Sequence, residues 1–132
     1  MEPLFLTLDE VLEIHDQQVE LYGGSAGLRD AAGLESAVAT PQATFGGEYL
    51  HPSIPAMAAA YLFHLCQNHP FIDGNKRVAA FSCVLFLSLN GTPDDDLPQQ
   101  DDLERVTLSI ASGEMTKADV TAWLHSVVRQ PP

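Results

Sequence analysis

The middle of the chain contains two long apolar segments that are joined by a short polar loop. Residues 56–67 are almost entirely apolar, and residues 77–89 are rich in Ala, Phe, Val and Leu. Segments that are apolar on most sides are typical of helices that are buried on most sides. Pro55 suits the first position of the first helix, and Asn90 with Gly91 terminates the second. The pattern therefore predicts two central buried helices.

Four outer helices are predicted around this pair. Two of them open with a capping box, at Thr7–Glu10 and at Thr116–Asp119, in which the first and fourth side chains bind each other's backbone N–H groups. Gly23-Gly24 ends the first outer helix, and Pro41 stops a shorter one. The predicted outer helices cover residues 8–22, 31–39, 99–112 and 117–129.

The segment over residues 41–55 contains three prolines and two glycines, which is typical of a loop. We expect a short hairpin around Gly46-Gly47. Because this loop directly precedes the central helices, we predict that it forms a flap over a site. Residues 94–96 form a predicted acidic turn. The chain as a whole, residues 1–132, is predicted to fold as one compact all-α domain of about six helices.

The net charge of the chain limits the kinds of molecule that it can bind. The formal net charge is −12, with only six Lys and Arg residues, so the chain lacks the basic face that nucleic-acid binding requires. Two of those six residues, Lys76 and Arg77, are adjacent and follow Gly74 in the polar loop. In so acidic a protein, this local pair predicts a site for a small anion. The negative field would repel a free nucleotide, so we expect Mg²⁺ to accompany it.

The chain shows no signal for a membrane or for secretion. The apolar run over residues 78–89 is too short to span a bilayer, and the N-terminus has no basic region before an apolar one. Cys66 and Cys83 lie inside apolar segments, which favours two buried thiols over a disulfide. These features predict a cytoplasmic protein.

The loop over residues 69–77 carries the candidate chemistry. His69 is suited to act as a general base, because the unperturbed pKa of imidazole lies near neutrality. Phe71 is apolar within a polar loop and is expected to anchor it in the core. Asp73 is a hard oxygen ligand suited to Mg²⁺ that bridges phosphate oxygens.

The second half of the loop predicts an anion site. Gly74 allows backbone N–H groups to approach a phosphate closely. Asn75 could cap the second central helix and donate its amide to a phosphate. Lys76 and Arg77 add positive charge at a helix N-terminus, where the dipole also favours anions. Together these residue types suit phosphoryl or nucleotidyl transfer.

The same loop resembles the signature of the Fic/Doc superfamily. It reads His-Pro-Phe-Ile-Asp-Gly-Asn-Lys-Arg, whereas Fic proteins read H-P-F-x-[DE]-G-N-G-R and Doc proteins H-x-F-x-[DN]-x-N-K-R. Lys76 stands where Fic proteins have a second glycine, so the likeness is to the Doc branch. It also extends to the stretches 21–24, 28–39 and 89–91. Gly74 follows the Fic pattern, and Gln67 stands where the best-known Doc motif has arginine.

The resemblance implies a toxin of a type II toxin–antitoxin pair. Its implied activity is that of a kinase, which transfers the γ-phosphate of ATP to a threonine or serine hydroxyl of a translation factor, elongation factor Tu. His69 would be the base and Asp73 the Mg²⁺ ligand. Phosphate contacts would come from Asn75, Lys76 and Arg77, and Phe71 and Gly74 complete the implied nucleotide site. Lys76 would fill the space of the Fic phosphates, so ATP would bind in the reverse sense and present its γ-phosphate.

Two alternatives remain open on the sequence. One is a Fic-type AMP or UMP transferase that modifies a protein hydroxyl, and the other is an inactive protein that only binds a partner. The Fic inhibitory pattern [ST]-x-x-x-E-[GN] fails in this chain, because Tyr49 follows Glu48. Inhibition is therefore expected from a separate cognate antitoxin.

The other histidines are weighed against ordinary structural roles. His64 is expected to be a satisfied core residue. His15 and His125 are expected to be solvated or to serve in packing. His51, in the predicted flap, is a weaker candidate for contact with a substrate.

Overall fold

In the computed structural model, residues 2–128 are described, and six α-helices account for most of them. The helices are α1 (Leu8–Tyr22), α2 (Ala31–Ala39), α3 (Ile54–Gln67), α4 (Asn75–Leu89), α5 (Gln100–Ala111) and α6 (Lys117–Val127). Two 3₁₀-helices cover Thr40–Gln42 and Asp94–Asp96, and the strands β1 (Thr44–Phe45) and β2 (Glu48–Tyr49) form a small antiparallel hairpin. The predicted all-α class is confirmed.

The core of the molecule is the pair formed by α3 and α4. Ten of the fourteen residues of α3 are buried, which agrees with its nearly continuous apolar sequence. Small side chains such as Ala58 and Ala59, both fully buried, allow α4 to approach closely. Phe86 of α4 packs against Tyr61 of α3 with ring centroids 5.1 Å apart. Burial on this scale fixes both helices, and hence both ends of the loop between them.

The outer helices use the caps that the sequence predicts. Both capping boxes are present, at Thr7 with Glu10 and at Thr116 with Asp119. Gly23 ends α1 at a positive φ of 81°, a conformation that favours glycine. These local signals set where α1 and α6 begin and where α1 ends, so they place both helices against the central pair.

Several element bounds differ from the predictions. Helix α4 begins at Asn75 rather than at Arg77, and α3 begins at Ile54, so Pro55 is its second residue. The predicted acidic turn is a 3₁₀-helix over Asp94–Asp96. Helix α6 ends at Val127, because Val128 is extended rather than helical, so the predicted helix to residue 129 was too long. Residue 129 itself lies outside the described residues.

The hairpin after α2 agrees with the prediction made from Gly46-Gly47. Both glycines have positive φ, of 60° and 82°, and they connect β1 to β2. Phe45 is 81% exposed at this hairpin, whereas Tyr49 packs against Phe5 near the core. The role of residues 41–55 as a flap remains a prediction.

Both cysteines are buried free thiols, as predicted. Burial raises the pKa of the Cys66 thiol and of the Cys83 thiol to about 12, so both are protonated near neutrality. Within residues 2–128, no helix is both long enough and apolar enough to cross a membrane.

A cluster of two histidines and one lysine joins the segment after the hairpin to α3 and α6. Lys117 Nζ lies 3.1 Å from His51 Nε2 and 3.3 Å from His64 Nε2. An ammonium group can only donate, so both imidazoles accept and are neutral. Burial, and then the charge of Lys117, lowers the pKa of His64 from 6.5 to about 4 and also lowers the pKa of His51. The charged form of each ring is therefore unfavourable in the folded protein.

These depressed pKa values predict acid sensitivity. The unfolded chain binds protons at these histidines below about pH 6.5, whereas in the folded chain His64 resists protonation until about pH 4 and the pKa of His51 is also lowered. The free energy of unfolding should therefore be fully present above pH 6.5 and should decrease as the pH falls toward 4. Denaturant titrations at several pH values measure it. The His64→Gln variant should flatten this dependence and His125→Gln, at an exposed position, should not; equal slopes in all three proteins would contradict the assignment.

Candidate active site

The loop between α3 and α4 turns through two left-handed residues. His69 has a φ of 47°, the one positive value at a non-glycine position within residues 2–128, and Gly74 has a φ of 85°. Histidine tolerates this region better than β-branched residues do. The two turns reverse the chain within a few residues, and they leave the side chains of His69 and Asp73 exposed.

Phe71 anchors the loop, as predicted. Its ring is 1% exposed and belongs to the hydrophobic core. A buried ring offers no surface to a nucleotide, so Phe71 contributes to the site by holding the backbone. Leu28 pairs with Phe71 in an isolated β-bridge, which attaches the segment after α1 to the loop.

Asn75 does not cap α4, which corrects the expectation from sequence. Gly74 is the N-cap residue and makes no side-chain cap bond, and Asn75 is the first residue of the helix. The Asn75 side chain points back into the loop. Its Oδ1 accepts the N–H of Phe71 at 2.9 Å, and its Nδ2 donates to the Phe71 carbonyl at 2.8 Å. The buried amide thus closes the loop onto its own anchor.

The same amide also orients the candidate base. Asn75 Nδ2 lies 2.7 Å from His69 Nδ1. Because the two bonds to Phe71 fix which end of the amide is Nδ2, Asn75 donates and His69 Nδ1 accepts. A neutral His69 ring in this arrangement carries its proton on Nε2.

The segment over residues 24–30 wraps around the loop and binds its backbone. Arg29 donates from Nε to the His69 carbonyl at 2.6 Å and from Nη2 to the Asn68 carbonyl at 2.9 Å. The N–H of Ser25 donates to Asp73 Oδ2 at 2.8 Å. Gly24 lies so close that a Cβ there would be 3.2 Å from the Asp73 Cβ. This segment holds both the candidate base, His69, and the Asp73 carboxylate in place.

The predicted cations lie at the N-terminus of α4 and are exposed. The Arg77 guanidinium lies 4.6 Å from the centre of the Tyr22 ring, an arrangement that holds it by a cation–π contact. Within residues 2–128 the one salt bridge joins Arg105 to Asp102, so the charges of Lys76 and Arg77 are not neutralised by an ion pair there. The first-turn N–H groups of α4 add to this positive end.

A groove of about 810 Å³ runs from this positive end between α1, α4 and α5. Its walls include Tyr22, Phe81 and Leu108, whose side chains are 58%, 42% and 51% exposed. The groove thus combines a cationic end with apolar walls.

The donor set around Asp73 fits Mg²⁺ that is shared with a substrate. Within residues 2–128 there is no group of three or more His, Cys, Asp and Glu side chains that could hold a metal ion alone. Asp73 keeps Oδ1 available, since Ser25 binds Oδ2. A single carboxylate with water and phosphate oxygens is a usual coordination for Mg²⁺. Asp73 would therefore hold the ion with a bound phosphate.

The other histidines do not join the exposed side chains of the loop over residues 69–77. His51 and His64 bind Lys117 as described, and His125 bonds to the Ser53 hydroxyl, with 3.1 Å between Nε2 and Oγ. The expectation of packing is correct for His15, which is 1% exposed and lies beneath the loop. Nothing in these contacts supports the weaker expectation that His51 meets a substrate.

Three supporting residues were missed by the sequence analysis: His15, Ser25 and Arg29. Each is 40 to 58 residues away from its partner in the loop. Arg29 is one of only six Lys and Arg residues in a chain of net charge −12. That scarcity of basic residues is the one feature of the sequence that could have indicated a role for Arg29.

A helical domain whose two buried central helices present such a loop is characteristic of one group of transferases. The model of the Fic/DOC family matches residues 5–87. The chain therefore belongs to the Fic/DOC family, as its loop sequence indicated.

Two relatives place the chain nearer the Doc branch. It is 33% identical over 117 residues to the protein kinase doc of Escherichia phage P1, covering 89% of this chain and 90% of that protein. It is 41% identical over 85 residues to the toxin Doc of Mycolicibacterium smegmatis, covering 62% of this chain and 65% of that protein.

The Asn75 bonds should contribute measurably to stability. Asn75→Ala leaves the N–H and carbonyl of Phe71 without their side-chain partner in a buried place, which costs about 1–3 kcal/mol per unsatisfied group. We expect the free energy of unfolding to fall by at least that amount in denaturant titrations. Gln67→Ala, at an exposed position nearby, should stay within about 0.5 kcal/mol. Equal stabilities of the two variants would show that the bonds contribute nothing.

Proposed function

We propose that this protein is a toxin kinase of the Fic/Doc type, which transfers the γ-phosphate of ATP to a threonine or serine hydroxyl of a translation factor. One observation carries the proposal: the rigid loop over residues 69–77 exposes an imidazole, a carboxylate and two cations around a helix N-terminus. The phage P1 relative is named a protein kinase, which supports the choice of reaction. Elongation factor Tu is the proposed target by resemblance, which implies action in the cytoplasm.

The reaction would be an in-line displacement at the γ-phosphorus. The substrate hydroxyl oxygen forms a bond to phosphorus, the bond to the β,γ-bridging oxygen breaks, and ADP leaves with that electron pair. His69 Nε2 accepts the hydroxyl proton. Catalysis then consists mainly of positioning and of stabilising charge, for which a loop held at both ends is suited.

His69 must change its tautomer before it can act as this base, because its Nε2 carries the proton while Asn75 donates to Nδ1. A phosphate oxygen is a stronger acceptor than a neutral imidazole for the Asn75 amide. In our proposal, a nucleotide phosphate takes over the one Nδ2 hydrogen that bonds to His69 Nδ1, while both Asn75 bonds to Phe71 remain. Nδ1 can then gain a proton from water as Nε2 releases its own to water. Nε2 is then free to accept.

The remaining residues stabilise the phosphates. Asp73 would hold Mg²⁺, and the bound ion would offset phosphate charge. Gly74 and the first turn of α4 donate backbone N–H groups, and Lys76 and Arg77 supply fixed positive charge. By resemblance to the Doc branch, the Lys76 side chain would fill the space that the phosphates occupy in Fic proteins, so the γ-phosphate rather than the α-phosphate would meet the hydroxyl.

A Fic-type AMP or UMP transfer is the second candidate. Gly74 favours it, since glycine is the residue that the Fic pattern has at this position. A binding-only protein is disfavoured, because His69, Asp73, Asn75 and Arg77 are all present.

The deciding experiment uses the purified protein, Mg²⁺, elongation factor Tu and ATP labelled in turn on the γ- and α-phosphate. We expect γ-label alone on the target and a mass gain of about 80 Da, one phosphoryl group. His69→Ala should lower the rate by about 10²–10⁴-fold, and His125→Ala should leave it unchanged. Transfer of α-label would establish the nucleotidyl transferase instead. Full activity of His69→Ala would refute the role of His69, and transfer of neither label would exclude this target.

A separate antitoxin is the proposed inhibitor, as the toxin name of the M. smegmatis relative supports. We propose that an antitoxin segment fills the groove between α1, α4 and α5, where its end would cover Lys76 and Arg77. Growth arrest by the toxin should be relieved when the product of a neighbouring small open reading frame is co-expressed. Phe81→Glu should abolish that relief and leave the arrest itself intact. Relief that is unchanged in Phe81→Glu would place the antitoxin elsewhere.

A further inference from the structure

His15 lies on α1, 58 residues before its partner, and is buried directly beneath the loop. Its ring is stacked on Phe71, with centroids 3.8 Å apart and planes 9° from parallel. Its Nε2 is 2.9 Å from the carbonyl oxygen of Asp73. A carbonyl oxygen can only accept, so the proton lies on His15 Nε2 and the ring donates.

This bond fixes the orientation of the peptide group between Asp73 and Gly74. The peptide is planar and trans, so its N–H points opposite to its C=O. The Asp73 carbonyl points inward to His15, and the Gly74 N–H therefore points outward, on the side of the exposed loop. Gly74 N–H donates to no partner within residues 2–128. The outward N–H belongs to the group of donors proposed above for a phosphate.

We propose that His15 is a positioning residue, which holds the Asp73–Gly74 peptide so that the Gly74 N–H faces the nucleotide phosphates. The inference rests on the proposed function for the identity of the ligand. Without the donor, this peptide can rotate by half a turn, because glycine at position 74 permits a wide range of φ. A rotated peptide would direct the Asp73 carbonyl oxygen at the phosphate, which repels it.

Histidine combines two properties that the position needs. A flat ring is required to stack on Phe71, and a donor at its edge is required to reach the carbonyl. Phenylalanine keeps the ring without the donor, and glutamine keeps a donor without the ring. The variants His15→Phe and His15→Gln therefore separate hydrogen bonding from packing.

The first measurement is direct binding of a non-transferable ATP analogue, adenylyl imidodiphosphate, with Mg²⁺ by calorimetry. Loss of one N–H donor to a charged group corresponds to about a ten- to hundredfold weaker affinity. We expect that loss in His15→Phe while the variant remains folded, and substantial recovery in His15→Gln. His125→Phe replaces an exposed histidine that bonds to Ser53, at the opposite end of α3 from the loop, and should bind like the unmodified protein. Unchanged affinity in a folded His15→Phe would overturn the proposal.

A crystal structure of His15→Phe gives a second, ligand-independent result. We expect the Asp73–Gly74 peptide to be rotated or to occupy two orientations. A peptide that keeps the orientation described here would refute the positioning role. If the unmodified protein fails to bind the analogue, the proposed function fails, whereas the orientation of this peptide in the variant still decides the role of His15.

Discussion

The candidate active site of this protein depends on a buried contact between Asn75 and Phe71. Two hydrogen bonds join the Asn75 side chain to the Phe71 backbone. A loop of so few residues between two buried helices has little chain with which to satisfy its own polar groups. Asn75 supplies both a donor and an acceptor to one residue, and the core holds that residue by its ring. These two bonds thereby help to fix the backbone reversal at His69 and Gly74.

The side chains of the loop fall into a buried group and an exposed group. Phe71 and Asn75 are buried and define the backbone, whereas His69, Asp73, Lys76 and Arg77 are exposed and would carry the proposed chemistry. A second layer, formed by His15, Ser25 and Arg29, binds backbone carbonyls or a carboxylate oxygen of the outward group. Supports of this kind reduce the entropy lost when a substrate binds.

How much of the fold and of the candidate site could be predicted depended on how far apart along the chain the interacting residues lie. Caps such as Thr7 with Glu10 act within four residues, so the sequence revealed them, and the apolar runs revealed the central pair. The candidate functional residues of the loop could also be recognised from the sequence, because they lie close together along the chain. The direction of the Asn75 side chain could not be predicted. An asparagine at the start of a helix can either cap that helix or bond to the backbone of the preceding loop. Contacts of His15 and Arg29 depend on how α1 and its following segment pack, which no local pattern records.

The left-handed backbone at His69 constrains how this protein can change over evolutionary time. Asparagine and aspartate tolerate that conformation about as well as histidine, while β-branched residues do not. Both are a single base change from any histidine codon. Descendants that lose the proposed catalytic activity should therefore carry Asn or Asp at this position more often than Val, Ile or Thr. They would keep the loop intact, and with it a surface on which a role in binding alone could be selected.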